Sequence, residues 1–149
     1  MTEVEPLLVC TTSSKGRGVF ARRSWQVGDL VISARVTALA AERTTHSFQT
    51  SINTHCEFDE PARLVNHSCD PNLGIRDNEF GAFDFIALRA IADREELTWD
   101  YATSEYHSIA VPECHCGTAV CRRTIPGYKY LTRTQRSRLT HIAGYLADY

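Results

Sequence analysis

Three thiols crowd into CHCGTAVC: Cys114 and Cys116 flank one residue, and Cys121 follows after four more. Thiolates suit zinc, and ligands this close in sequence lower the cost of ordering a site. A structural zinc ion takes four ligands, so the fourth comes from elsewhere. His115 has the chemistry, but both of its neighbours are already ligands, which leaves it poor geometry. Cys69, in LVNHSCDPN, is the better candidate. That string also sets Asn66 and His67 beside the cysteine, on a stretch that Asp70, Pro71 and Asn72 keep out of regular structure. In EELTWDY, Tyr101 offers a phenol able to give or take a hydrogen bond near a reacting atom. Gly16 and Gly18 bracket Arg17 and permit close approach of backbone to a ligand. They lack the third glycine and the helix of a dinucleotide fold. Cys10 and Cys56 remain, and read as small buried hydrophobes.

The elements that must position these groups read mostly as short strands. SSKGRGVFA is a turn running into a strand, and VGDLVISARV is a Gly-Asp turn followed by β-branched residues. FGAFDFIALRAI alternates in part, with Phe83, Phe85 and Ala87 on one face. ADREELTWDY is a turn and a short strand. Only the C-terminus has helical spacing, at Leu139, Ile142 and Leu146, with Thr132 and Gln135 placed as a capping box. Arg133, Arg136 and Arg138 would line its solvated face. The fold class is therefore mostly β with short helices and long irregular connections.

A chain of 149 residues, 43% hydrophobic and 23% charged, has the size and balance of one globular domain. Its net charge of -2 argues against a general nucleic-acid binder. No apolar run approaches the ~18 residues of a membrane span. MTEVEPLLVC is acidic with a short apolar patch, so it does not read as a secretory signal, and the expected location is intracellular, cytoplasmic or nuclear. Six cysteines in such a chain point to metal or reduced thiols rather than disulfides.

Together, KGRGVFA (15–21), NHSCDPN (66–72), EELTWDY (95–101) and CHCGTAVC (114–121) resemble, in content, order and spacing, a SET domain with its cysteine-rich post-SET tail and no pre-SET region. The resemblance covers about residues 7–128. It implies a β-clip fold with knot-like threading around the NHSC segment. It also implies a division into a SET domain (1–110), a zinc tail (111–128) and a C-terminal helix packed on the same unit (129–149). The activity implied is S-adenosyl-L-methionine-dependent methyl transfer, usually to a protein lysine. Lys15, Gly16, Arg17 and Gly18 would line the cofactor site through their backbone. Asn66 and His67 would contact the cofactor, and Tyr101 would stand beside the methyl group. Cys69, Cys114, Cys116 and Cys121 would hold one structural Zn2+. The partner implied is a lysine-containing protein or peptide, with no direct nucleic acid and no membrane. The acidic residues Asp93, Glu95, Glu96 and Asp100 either favour a cationic peptide or form a solvated edge.

Three positions depart from the family pattern. Trp99 stands where Phe or Tyr is common, at a residue whose size influences how many methyls are added. Arg94 replaces a glycine before the two glutamates, a change expected to affect only a turn. A second tyrosine upstream of NHSC is missing, and His46, beside Ser47 and Phe48, takes its place. His46 and Trp99 therefore join Tyr101 as candidate catalytic residues, His46 with general-base chemistry near neutral pH. Two other functions follow from these departures: a SET-like enzyme redirected to a small molecule, and a zinc-stabilised binding module without catalysis.

Overall fold

The computed structural model describes residues 4–149; the first three residues, assigned above to the start of the SET unit, lie outside the described residues. Among the described residues, ten short strands form three sheets. β1 (Leu7–Thr11) and β2 (Arg17–Ala21) make an antiparallel hairpin. β3 (Leu30–Ser33), β9 (Phe83–Ala87), β8 (Leu73–Asp77), β10 (Thr98–Trp99) and β7 (Asn66–His67) lie side by side in that order. β4 (Val36–Leu39), β6 (Thr54–Phe58) and β5 (Phe48–Ser51) form the third sheet, also in that order.

β10 runs parallel to both neighbours, pairing Trp99 with His67 on one side and with Leu73 on the other. The connection 68–72 joins those two neighbours, so the chain at residue 99 passes beneath it. This is the physical content of the knot-like threading. Asn72, fully buried, holds the crossing: its Oδ1 accepts the Thr98 N–H at 2.9 Å and its Nδ2 donates to the Glu96 carbonyl at 2.8 Å.

The core is aromatic where the sheets meet. Phe48 stacks on Phe58 with ring centroids 3.9 Å apart and on Trp99 at 5.6 Å, while Phe83 and Phe85 pack edge-on against this group. The alternation read in FGAFDFIALRAI is visible as buried Phe83, Phe85 and Ala87, with Ile86 buried too because both faces of the central sheet are covered. Cys56 is buried and Cys10 partly so, neither in a disulfide. Arg94 keeps the turn that glycine would make, at φ 71°, a left-handed conformation that a side chain disfavours.

The C-terminus departs from the single helix expected of it. The capping box is present, with Thr132 Oγ1 accepting the Gln135 N–H and Gln135 Oε1 accepting the Thr132 N–H, but the α-helix (α1, Arg133–Ser137) stops after five residues. Beyond it the chain opens so that the Ala143 N–H reaches the Thr103 carbonyl, and a 3-10 turn (Gly144–Asp148) buries Leu146. The apolar residues meet the core through this irregular path rather than along one helix face. Arg136 is not on a solvated face: its guanidinium lies 4.2 Å from the centre of the Tyr128 ring and donates to the Tyr128, Lys129 and Tyr149 carbonyls.

Candidate active site and metal centre

Cys69, Cys114, Cys116 and Cys121 converge, with their four sulfurs within 4.8 Å of one another. Cys69 and Cys114 stand 3.9 Å apart, close to the ~3.8 Å that a tetrahedron of ~2.3 Å zinc–sulfur bonds requires. The donors around them also suit thiolates. The Arg122 N–H points at Cys69 Sγ at 3.4 Å, and Thr118 Oγ1 is 3.2 Å from Cys116 Sγ. Burial pushes the Cys69 thiol up, so it gives up its proton only in exchange for a cation. At Cys116 desolvation is outweighed by hydrogen bonds from the Thr118 hydroxyl and backbone, which hold the thiol at about 6. The set fits one zinc ion. His115 is exposed and pairs with Glu113 instead.

The cluster is fastened to the strand crossing by groups that spacing alone did not reveal. Arg122 makes a bidentate pair with Asp100 at 2.6 and 2.8 Å, with Asp100 only 2% exposed. Asp100 also caps the 3-10 turn Tyr101–Thr103 by accepting the Ala102 N–H. It is therefore not part of a solvated acidic edge. Two of its companions are also engaged, Glu96 pairing with Lys15 at 2.7 Å and Glu95 accepting the Ala92 N–H, while Asp93 is exposed. The one sequence signal for the buried pair was the placing of Arg122 directly after the last cysteine and of Asp100 directly before Tyr101.

A cleft of about 380 Å³ borders the cysteine cluster, lined among others by Lys15, His46, Asn66, His67, Tyr101 and Cys116. Asn66 Nδ2 donates to the Arg17 carbonyl at 3.0 Å, tying the NHSC segment to the GRG loop. Gly18 permits this approach, since a Cβ there would stand 2.9 Å from Thr12 Cγ2 and 3.0 Å from Asn66 Nδ2 and push those side chains aside. Its volume lies in the range of small-molecule sites, and its walls join the two loops assigned to the cofactor. A larger cavity, about 580 Å³, is lined in part by Asp100 and Arg122 and includes neither Asn66, His67 nor Tyr101.

A narrow slot leads off the cleft, sharing Thr45, His46, Tyr101 and Ala110 with it and adding Phe48, Val65, Trp99 and Glu105. Tyr101 Oη donates to the Val65 carbonyl at 2.8 Å, and burial pushes its phenol up, so it stays protonated near neutral pH. Trp99 is a wall of the slot and 2% exposed, its ring centroid 4.7 Å from that of Tyr101. His46 sits at the exposed mouth, where its Nδ1–H donates to the Arg63 carbonyl at 3.1 Å. Sequence reading missed Glu105 altogether.

No helix among the described residues is long and apolar enough to cross a membrane. The SET domain family matches residues 16–102, more than half of the chain. Histone-lysine N-methyltransferase ash1 of Drosophila melanogaster is 40% identical over 68 residues, covering 44% of this chain and 3% of that protein. Histone-lysine N-methyltransferase 2B of Homo sapiens is 30% identical over 141 residues, 82% of this chain and 5% of that protein. Among solved structures, KRYPTONITE in complex with mCHH DNA, H3(1-15) peptide and SAH superposes with a TM-score of 0.57 at 26% identity, over 79% of this chain and 29% of that one. The chain thus spans a small part of the relatives it matches.

Proposed function

The chain belongs to the SET-domain family, and from that membership we propose that it transfers methyl groups from S-adenosyl-L-methionine to the side-chain amine of a lysine in a protein substrate. The observation that carries this reading is the joining of cleft and slot at Tyr101. The cleft has the volume and lining for the cofactor, and the slot, only about 10 Å³ as it stands, leads off it past Tyr101 and must widen to admit an alkyl chain. When bound, S-adenosylmethionine supplies a methyl group on a sulfonium, open to in-line attack.

The residues contribute alignment more than reactivity. The backbone of Lys15, Gly16, Arg17 and Gly18, with Asn66 and His67, holds the cofactor. Tyr101, fixed by the Val65 carbonyl, presents its oxygen to the incoming amine. Trp99 and Phe48 exclude water and limit room around the nitrogen. Cys69, Cys114, Cys116 and Cys121 hold zinc, which pins the 111–128 tail beside the cleft. Substrates of the histone type, as named for the relatives above, accord with this reading, as does an intracellular location. The net charge of -2 favours a cationic protein partner over nucleic acid. The tightness of the slot beside Trp99 supports a second reading, a small amine as substrate.

The test is calorimetry of the folded, zinc-loaded protein with S-adenosylmethionine and S-adenosylhomocysteine, followed by turnover on histones, lysine peptides and small amines. Binding of both and turnover that falls at least tenfold in Tyr101→Phe, with cofactor binding kept, supports methyl transfer. No binding of either ligand overturns it and leaves a zinc-stabilised binding module.

A further inference from the structure

The slot requires a base, and of its expected residues only His46 has that chemistry, at the exposed mouth rather than in the buried part of the slot. A lysine enters as an ammonium and must lose a proton before its lone pair can attack. Tyr101 is held protonated, and its hydroxyl is committed to the Val65 carbonyl. Glu105 lines the same slot. It is 7% exposed, and its carboxylate has one hydrogen bond among the described residues, from the Gln49 N–H to Oε2 at 3.2 Å. No cation among the described residues pairs with it: Arg43, whose charge is felt there, donates to the His107 carbonyl at 2.7 Å, and Arg63 pairs with Glu60. A carboxylate buried without a cation is costly unless something arrives to compensate it.

We propose that Glu105 is a catalytic residue that receives the substrate's amino group, pairing with the ammonium in the slot and taking its proton. This rests on the methyl-transfer reading for its chemical step, but not for cation capture. In that step the N–H proton passes to the Glu105 carboxylate. The freed lone pair forms the N–C bond as the C–S bond breaks, with its electron pair left on sulfur. The proton then leaves Glu105 for solvent. Burial, opposed by the Gln49 N–H and by Arg43, lifts this carboxyl to about 8, nearer to an amine than an ordinary carboxylate and so a better base. The ionisable groups around it are Tyr101 and Tyr145, both held protonated, with Arg43, and with His46 and Arg63 on the slot. An ammonium against Glu105 also selects against neutral substrates of the same shape.

The test follows the Glu105 side-chain carboxyl carbon by NMR in the zinc-loaded wild-type protein with S-adenosylhomocysteine, its resonance identified by its absence from Glu105→Gln and Glu105→Asp. The probe is n-butylammonium chloride, with n-butanol as the neutral control. The titration midpoint should fall by about one pH unit or more with the amine, as a cation in contact favours the charged form, and stay in place with the alcohol. A midpoint that the amine leaves unmoved overturns the proposal, whichever variants fold. In turnover on a lysine peptide, Glu105→Gln should lose about 100-fold or more and the rise of rate with pH through about 8. Wild-type KM, kcat and pH profile in that variant would overturn the proton-transfer role. Amine capture in a wild-type protein that methylates nothing would uphold the cation site and overturn methyl transfer.

Discussion

His67 Nε2 stands 3.4 Å from Cys69 Sγ, while its Nδ1 accepts the Tyr101 N–H at 3.1 Å. Nδ1 accepts, so the ring proton sits on Nε2 and is donated to the sulfur. Burial, only partly opposed by Asp100, holds the imidazole down at about 4, so it is neutral under ordinary conditions. One ring therefore links a zinc-site thiolate to the backbone of the tyrosine at the reacting centre. Groups that orient metal ligands this way commonly account for 10- to 100-fold in metal affinity. His67→Ala should weaken zinc binding by roughly tenfold or more, read by competition with a chromogenic chelator. Wild-type zinc affinity in that variant would show that the N–H to sulfur contact contributes nothing to the site.

The Asp100–Arg122 pair ties the tail to the strand crossing, with side chains 2% and 12% exposed. Removing one partner leaves a buried charge alone, which costs about 3–5 kcal/mol. Arg122→Ala should lower stability by roughly that amount and loosen the tail. The double variant Arg122→Met with Asp100→Asn should recover part of the loss, because it strands no charge. Urea unfolding of the zinc-loaded proteins checks both, and purely additive effects would mean the pair is not coupled.

Glu105 makes stability depend on pH in a direction opposite to most carboxylates. Burial chiefly raises its folded-state value to about 8 from the ordinary carboxyl value of 4.5. Between those values the folded protein holds a proton that the unfolded chain does not. Stability from this group is thus full below about 4.5 and declines as pH rises through about 8. Glu105→Gln, which stays neutral, should be stabilised relative to wild type by on the order of a few kcal/mol at pH 9 and by little at pH 5. Melting temperatures at the two pH values decide it; an equal difference at both would mean that Glu105 is ionised without penalty in the folded state. A group that destabilises its own fold is the kind of feature a functional site retains.

What could be read from the chain was whatever chemistry is carried by spacing. CHCGTAVC and NHSC announced a four-sulfur site because thiols so placed have few other uses. The capping box at Thr132 and Gln135 is local and appeared as expected. Asp100 with Arg122, and Glu105 with its slot, are relations between segments distant in sequence. Each is a single polar residue in a stretch without period, so no pattern marks it. The C-terminal apolar spacing suggested a helix, yet Leu139, Ile142 and Leu146 are held by tertiary contacts that favour an irregular path. At Trp99 the chemistry was legible as a departure from pattern, whereas its stacking on Phe48 and its place in the slot needed the fold.

Trp99 supplies the last prediction. Its indole fills the space between Phe48, Phe85 and Tyr101, and its buried Nε1–H has no hydrogen-bond partner. A wide indole held beside the reacting centre leaves little room for a nitrogen that already carries a methyl group. Trp99→Phe removes the bulk and the orphan N–H together. The lost packing should cost about 1–3 kcal/mol, offset in part because a buried unsatisfied donor is also removed. The product distribution is expected to change more than the stability. If the wild type stops at one methyl, Trp99→Phe should carry the same lysine peptide on to two or three, read as steps of one methyl mass by mass spectrometry. An unchanged distribution, in a variant that folds and binds S-adenosylhomocysteine as the wild type does, would mean that Trp99 only packs the core and that the limit on methyl number is set elsewhere in the slot.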